Sequence, residues 1–400
     1  MFEPAERLKS VKVSASAAMT RKVREMRAQG VKIVGLSSGE PDFPTPKHAI
    51  EAAYKAALAG DTKYPAQDGT RPLKEAVQRK FKRENGLDYA LDEIMVSNGS
   101  KQIMYNAVMA SVNPGDEVII PAPGWISYAD QVKLAGGLPI AVSCPENNQF
   151  KLRTPDLQAA ITPRTKWVVL NFPNNPTGAV CSRAEMRALA DVLLQHPHVL
   201  VMADEIYEHL TYDGKEFCSI AEVEPKLKDR TLTVNGASKA YAMTGWRVGY
   251  AGGPKAMIAA MTNMQGQATA GVSTIGQAAV TAALDGPQDL IAQRVADYQN
   301  RRDRVVGWLR EAKGITCHTP EGAFYVFPNI AGCIGKTSKA GRRIETDTDF
   351  VTALLDERQV ATVQGAAYGM SPYFRISYAT DIESLREGCR RIQEFCADLK

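Results

Sequence analysis

Along the middle of the chain, short apolar runs alternate with amphipathic stretches. DEIMVS (92–97) reads as the end of a strand and SKQIMYNAVMASV as the helix after it. NPGDEVIIPAP reads as a turn and a strand, TKWVVLNFP as a buried strand, and SRAEMRALADVLLQ as an amphipathic helix. HVLVMADEIY and RTLTVNG are two more buried strands. Continuous β-branched runs joined by helical crossovers predict a mostly parallel sheet covered on both faces, an α/β fold. From about Gly286 to Gly314 the chain is charged and helical. Beyond it come shorter strands (FYVFPNI, ATVQG, YFRISYA) and a final amphipathic helix, ESLREGCRRIQEFCADLK. The expected division is a large α/β domain over 46–300 and a smaller α+β domain built from 1–45 and 301–400. The first 45 residues are assigned to the smaller domain because they precede the α/β rhythm and are rich in turns (GEPDFPTP).

Composition narrows the class. The 400 residues suit about two domains. Hydrophobic residues at 44% and charged ones at 23% are ordinary for a soluble globular protein. Lys plus Arg exceed Asp plus Glu by 48 to 44, so no polyanion partner such as nucleic acid is implied. The seven cysteines are scattered, without a C-x-x-C pair, which argues against a disulfide framework and a structural zinc site. No secretory h-region opens the chain and no apolar run reaches about 18 residues, so a cytoplasmic protein without a membrane span is expected.

In open parallel sheets, ligands bind beyond the carboxyl ends of the strands. The residues just past each apolar run are therefore the candidates for chemistry. After IMVS comes Asn98-Gly99-Ser100-Lys101-Gln102, a helix start whose free N–H groups suit a phosphate. After WVVLNF, Pro173-Asn174-Asn175-Pro176-Thr177-Gly178 forms a rigid turn in which an Asn can donate to a ring oxygen or a carboxylate. After VLVMA comes Asp204-Glu205-Ile206-Tyr207; a carboxylate there needs a cation or donor, and a helix N-cap is an equal alternative. After TLTVNG comes Ala237-Ser238-Lys239, with Arg247 eight residues on. Burial lowers a lysine's pKa and frees its amine for a Schiff base, and an arginine fork suits a phosphate. Singly, each segment also reads as an ordinary turn, cap or surface charge. As an ordered set at successive strand ends, they describe a site for pyridoxal phosphate, which serves as an electron sink.

At these residues the sequence resembles the class I aminotransferases of the aspartate aminotransferase fold, in the bacterial aspartate/prephenate subgroup. Gly236-Ala237-Ser238-Lys239-Ala240-Tyr241-Ala242-Met243-Thr244-Gly245-Trp246-Arg247-Val248-Gly249 is similar to the family's lysine-site signature. Asn175-Pro176-Thr177-Gly178, Asp204-x-x-Tyr207 and Gly39-Glu40-Pro41-Asp42 reinforce the likeness, which covers nearly the whole chain. The resemblance implies a homodimer with shared active sites, acting on amino acids and 2-oxo acids. It implies that Lys239 carries the cofactor and moves a proton, that Asp204 pairs the pyridine nitrogen, and that Asn175 and Tyr207 hydrogen-bond the ring's phenolic oxygen. Trp125 would stack on the ring, Gly99, Ser100, Lys101, Ser238 and Arg247 would hold the phosphate, and Tyr64 would reach the neighbouring subunit's phosphate. Arg375 and Gly39 would bind the substrate α-carboxylate, and Lys101 with Lys12 and the hydroxyls of Ser14 and Ser16 the distal one. No metal is implied.

Three positions depart from the pattern. Gly124 replaces an aromatic beside Trp125, which predicts a wider or looser pocket. Gly236 stands where a serine is common, which moves a phosphate donor to Ser100 or Ser238. Tyr368 stands where Phe is common, which adds a hydroxyl near the substrate. The leading expectation is ping-pong transfer from aspartate to 2-oxoglutarate, with prephenate amination as a related activity. The alternatives are a transaminase for aromatic or other amino acids, or a β-lyase. A regulator built on the same fold is disfavoured because there is no basic patch, and a dinucleotide-binding dehydrogenase because no G-x-G-x-x-G comes after the first strand.

Overall fold

The computed structural model describes residues 2–11 and 14–400. Its strands, in chain order, are β1 (Val34–Gly35), β2 (Ile94–Ser97), β3 (Glu117–Ala122), β4 (Leu138–Ser143), β5 (Thr165–Asn171) and β6 (Leu200–Asp204). They continue with β7 (Thr231–Gly236), β8 (Gly249–Gly252), β9 (Tyr325–Val326), β10 (Val360–Ala361), β11 (Val363–Gln364) and β12 (Phe374–Ser377). A seven-stranded sheet has the order β2-β8-β7-β6-β5-β3-β4. Every strand in it runs the same way except β8, which is antiparallel to both β2 and β7. Their carboxyl ends, Ser97, Ala122, Asn171, Asp204 and Gly236, therefore gather along one edge.

The five apolar runs expected to be strands are β2, β3, β5, β6 and β7. β2 and β7 are buried at every position, as a sheet covered on both faces requires. Two strands lack the signal. β4 is an edge strand with only Val142 buried among its side chains, so it carries no apolar run. β8 is GYAG, a poor strand sequence by propensity. Its glycines answer to close packing: a Cβ on Gly249 would lie 2.3 Å from the Ser100 nitrogen, and one on Gly252 2.4 Å from the Tyr89 ring.

Helix starts reflect local chemistry. Ser182 and Glu185 form a capping box before Arg183–Leu194, with the Ser182 N–H donating to Glu185 Oε2 at 2.8 Å. Asp381 caps the final helix Ile382–Asp398 by accepting from the Ser384 N–H at 2.8 Å. The final helix packs on Asp289–Arg310, the observed form of the charged helical stretch. The first 45 residues contain a 14-residue helix, Ala15–Ala28, ahead of their turns. From there β1 pairs in parallel with β10, while β11, β12 and β9 form a three-stranded antiparallel sheet. All seven cysteines are buried free thiols. Among the described residues, no helix is long and apolar enough to cross a membrane.

Candidate active site

A cavity of about 410 Å³ opens at the carboxyl edge of the large sheet, where β12 and the residues after β1 close over it. Lys239 lies three residues past β7, and its ammonium donates to the Gly39 carbonyl at 2.7 Å. Burial, and then the charge of Arg375, pulls its pKa down from 10.5 to about 8. Glycine at 39 lets the Tyr325 phenol close on the backbone, since a Cβ would come within 2.9 Å of its hydroxyl.

Asp204 ends β6 at the cavity floor. Its carboxylate accepts from the Tyr128 hydroxyl at 2.5 Å and from the Ile206 N–H at 3.4 Å. No helix begins there, so the N-cap alternative fails; the short backbone contact closes a turn instead. Burial pushes the carboxyl up to about 6 despite these donors and the nearby Lys239. Such a group gains from a cationic partner.

Asn175 is held from two sides. Its N–H donates to Asn171 Oδ1 at 3.0 Å, and Asn171 Nδ2 donates to the Asp204 carbonyl at 3.0 Å. Its side-chain oxygen accepts from Arg375 Nη1 at 3.1 Å, which leaves the Asn175 amide protons for a ligand. Arg375, on β12, is only 3% exposed. Its Nη2 donates to the Ser37 carbonyl at 2.7 Å, its guanidinium lies over the Tyr325 ring at 4.4 Å, and its Nε has no partner among the described residues. The Tyr207 hydroxyl is 2.8 Å from that of Tyr325.

The helix Ser100–Ser111 begins at Gly99, whose φ of 84° favours glycine. A Cβ there would lie 2.4 Å from Arg247 Nη2, so the guanidinium packs directly on the backbone of the helix start. Among the described residues, Arg247 donates only to the carbonyls of Thr244 (3.0 Å) and Asn98 (3.2 Å). Ser100 Oγ donates to the Asn235 carbonyl at 2.8 Å, in the space that a side chain at Gly236 would take. Ser238 lines the cavity. Lys101 lies with its ammonium 4.9 Å from the centre of the Trp125 ring, and burial, with Arg247 as the next cause, lowers its pKa.

One cavity thus gathers most of the predicted set, Gly99 lying just behind its wall. Tyr64 does not line it and is 93% exposed. Lys12 and the Ser16 side chain lie outside the described residues, while Ser14 lines the cavity. Gly124 departs from its expectation: it does not line the cavity, and a Cβ would sit 2.5 Å from the Pro121 carbonyl oxygen. The glycine makes a tight loop rather than a wider pocket.

Tyr128, Asn171 and Tyr325 complete the site without having been singled out in the sequence. Asn171 ends a predicted strand and was open to the same argument as Asp204; the other two carry no local signal. Behind Asp204 lies a buried network in which Lys80 pairs with Glu208, and Asn235 Nδ2 donates to Glu208 at 2.7 Å. The cluster of Glu84, Glu208 and His209, spaced as metal ligands can be, already holds the Lys80 ammonium.

Residues 31–392 match the family described as aminotransferase class I and II. The chain is 55% identical to the aspartate/prephenate aminotransferase of Cereibacter sphaeroides, over 98% of each chain. It is 52% identical to the aspartate aminotransferase of Rhizobium meliloti, over 99% of this chain and 96% of that one. Among solved structures, an aspartate aminotransferase from Rhizobium meliloti superposes with a TM-score of 0.97 at 52% identity, covering 100% of both chains. The aspartate aminotransferase of Thermus thermophilus with maleate gives 0.91 at 40% identity, covering 99% of this chain and 100% of that one. With the lysine, the aspartate and the two arginines brought to one cavity in a fold shared along its whole length, the chain belongs to the class I and II aminotransferases.

Proposed function

We propose that the protein is a pyridoxal-phosphate-dependent aminotransferase that moves the amino group of L-aspartate to 2-oxoglutarate by a ping-pong mechanism, with prephenate as a further acceptor. One observation carries the reading. Four cations, Lys101, Lys239, Arg247 and Arg375, line one cavity against two acids, Glu40 and Asp204, and none of the four has a carboxylate within 4.0 Å among the described residues. Arg375 is buried, Lys239 half-buried, and Lys101 and Arg247 stand at the exposed rim; charges of one sign gathered in one cavity without partners call for a ligand of the other sign. A phosphate and one or two carboxylates meet that demand.

The donor set fits the cofactor. The open N–H groups at the start of Ser100–Ser111 and the Arg247 fork suit a phosphate. Asp204, raised to about 6 by burial, suits a protonated ring nitrogen. Asn175 keeps its amide protons free, and the Tyr207 and Tyr325 hydroxyls, 2.8 Å apart, share a contact in which either can donate, so Tyr207 would turn its proton to the same ring oxygen when Tyr325 donates to it. Trp125 offers a flat wall. When bound, pyridoxal phosphate supplies an aldehyde for an amine and a ring that draws electrons from the substrate Cα. Lys239, with its pKa near 8, presents a free amine in useful amount and can take and return the Cα proton.

Arg375 would grip the α-carboxylate through the proton its Nε leaves unused. Lys101, joined by Lys12, would receive a distal carboxylate, which favours acidic substrates. Maleate in the Thermus thermophilus structure, a dicarboxylate, and the names of the relatives support this choice. The lyase and aromatic-substrate alternatives rest on a pocket enlarged at Gly124, and Gly124 does not line it. A second copy of the chain would cover the stripe Ile50, Tyr54 and Leu58 (47%, 65% and 70% exposed) and receive Tyr64.

The test is an absorbance scan of the cofactor-loaded protein before and after L-aspartate, with no acceptor present. The visible band should fade with aspartate and return with 2-oxoglutarate. A yellow protein indifferent to aspartate overturns the substrate choice, and one that never takes up pyridoxal phosphate overturns the whole reading.

A further inference from the structure

Tyr368 is 3% exposed and lines the cavity, yet its hydroxyl is buried with no hydrogen-bond partner among the described residues. A phenylalanine would fill the same space without leaving a polar group unsatisfied, and an unsatisfied group costs stability. The ring is fixed in place. Phe327 meets it edge-on at 6.1 Å, and the Arg375 guanidinium lies 5.2 Å from its centre.

Its backbone is fixed as well. Tyr368 ends the turn Gly365–Tyr368, which Asp347 pins by accepting from the Ala366 N–H at 2.7 Å and the Ser371 hydroxyl at 2.9 Å. The Gly124 N–H donates to the Tyr368 carbonyl at 3.0 Å, tying the turn to the loop that carries Trp125. The Arg375 Nε has no partner among the described residues either. One stacked pair on the cavity wall thus holds two buried donors that meet no acceptor among the described residues, the arrangement of a preorganised oxyanion-binding wall.

We propose that Tyr368 is a specificity-determining residue whose phenol donates a hydrogen bond to a carboxylate oxygen of the bound amino or oxo acid, beside Arg375. The inference rests on the aminotransferase reading above. Burial drives the phenol's pKa far up, so it stays a protonated donor at any working pH. A site built around such a donor discriminates against ligands that cannot accept from it.

The test is Tyr368→Phe in the cofactor-loaded enzyme, with calorimetric titration of maleate, an acid that cannot transaminate. Loss of a phenol–carboxylate bond should raise the Kd about tenfold, equivalent to ~1.4 kcal/mol. The ligand-free variant should melt no lower than the wild type, because an unsatisfied group has been removed. KM for L-aspartate and L-alanine then locates the oxygen. A rise for both assigns it to the α-carboxylate, and a rise for aspartate alone to the distal one. Wild type that binds maleate alongside a variant of equal affinity overturns the proposal by itself. Wild type that ignores maleate overturns the dicarboxylate reading and the proposal with it.

Discussion

The amine of Lys239 is the group whose behaviour can be worked out furthest. Burial and the neighbouring Arg375 charge carry its pKa from 10.5 down to about 8. At about 1.36 kcal/mol for each pH unit, that is ~3 kcal/mol against the ammonium form. At pH 7.5 about a quarter of the molecules would hold a free amine, against about one in a thousand for an ordinary lysine. Competitive labelling of the cofactor-free protein with trace acetic anhydride, read by mass spectrometry at the Lys239 peptide against an internal amine standard, reports the midpoint directly. In Arg375→Gln the midpoint should move upward, because a repelling charge is gone. It should stay below 10.5, because burial is the larger cause. Stability should respond to pH in the same range. Between about 8 and 10.5 the unfolded chain holds a proton that the folded one has lost, so the cofactor-free protein gains stability as pH rises through that window. A wild-type midpoint at about 10 or above, or a downward shift in Arg375→Gln, refutes the reasoning.

Two other perturbations test the walls of the site. Asp204→Asn should raise the melting temperature of cofactor-free protein at about pH 7.5 by a few degrees, since a carboxyl raised from 3.8 to about 6 costs stability progressively as pH climbs through that range. The gain should vanish near pH 4, and a lower melting temperature at neutral pH would sink the idea that burial destabilises the carboxylate in the cofactor-free protein. Gly249→Ala sets a Cβ 2.3 Å from the Ser100 nitrogen and 2.5 Å from the Gly99 carbonyl carbon, so the helix start must move. We expect a loss of about 1–3 kcal/mol in urea unfolding together with weaker cofactor binding in equilibrium dialysis; unchanged values for both would show that the packing does not hold the phosphate cradle.

Much of the architecture was legible because it is local. β2, β3, β5, β6 and β7 announce themselves as apolar runs, since a strand buried on both faces has no polar face to interrupt it. The candidate chemistry was legible for a related reason: in such a sheet the residues just past each run land at one edge, so sequence order maps onto position. Asp204, Asn175 and Lys239 came from that rule. β4 and β8 escaped it. An edge strand has little to bury, and β8 is made of glycines that answer to atoms more than a hundred residues away.

By itself, then, the sequence determined the run of buried strands, the edge at which a ligand sits, and the residue types that meet it there. Tertiary structure alone decided what those residues lack. That, among the described residues, Arg375 and Arg247 meet no carboxylate and the Tyr368 hydroxyl has no partner, and that Asp204 rests on Tyr128, are facts about neighbours distant in the chain. The Gly124 expectation failed for the same reason. A missing side chain reads as lost volume in a sequence, but whether that volume belongs to the pocket depends on which way the backbone turns, and here the space is filled by the Pro121 carbonyl oxygen.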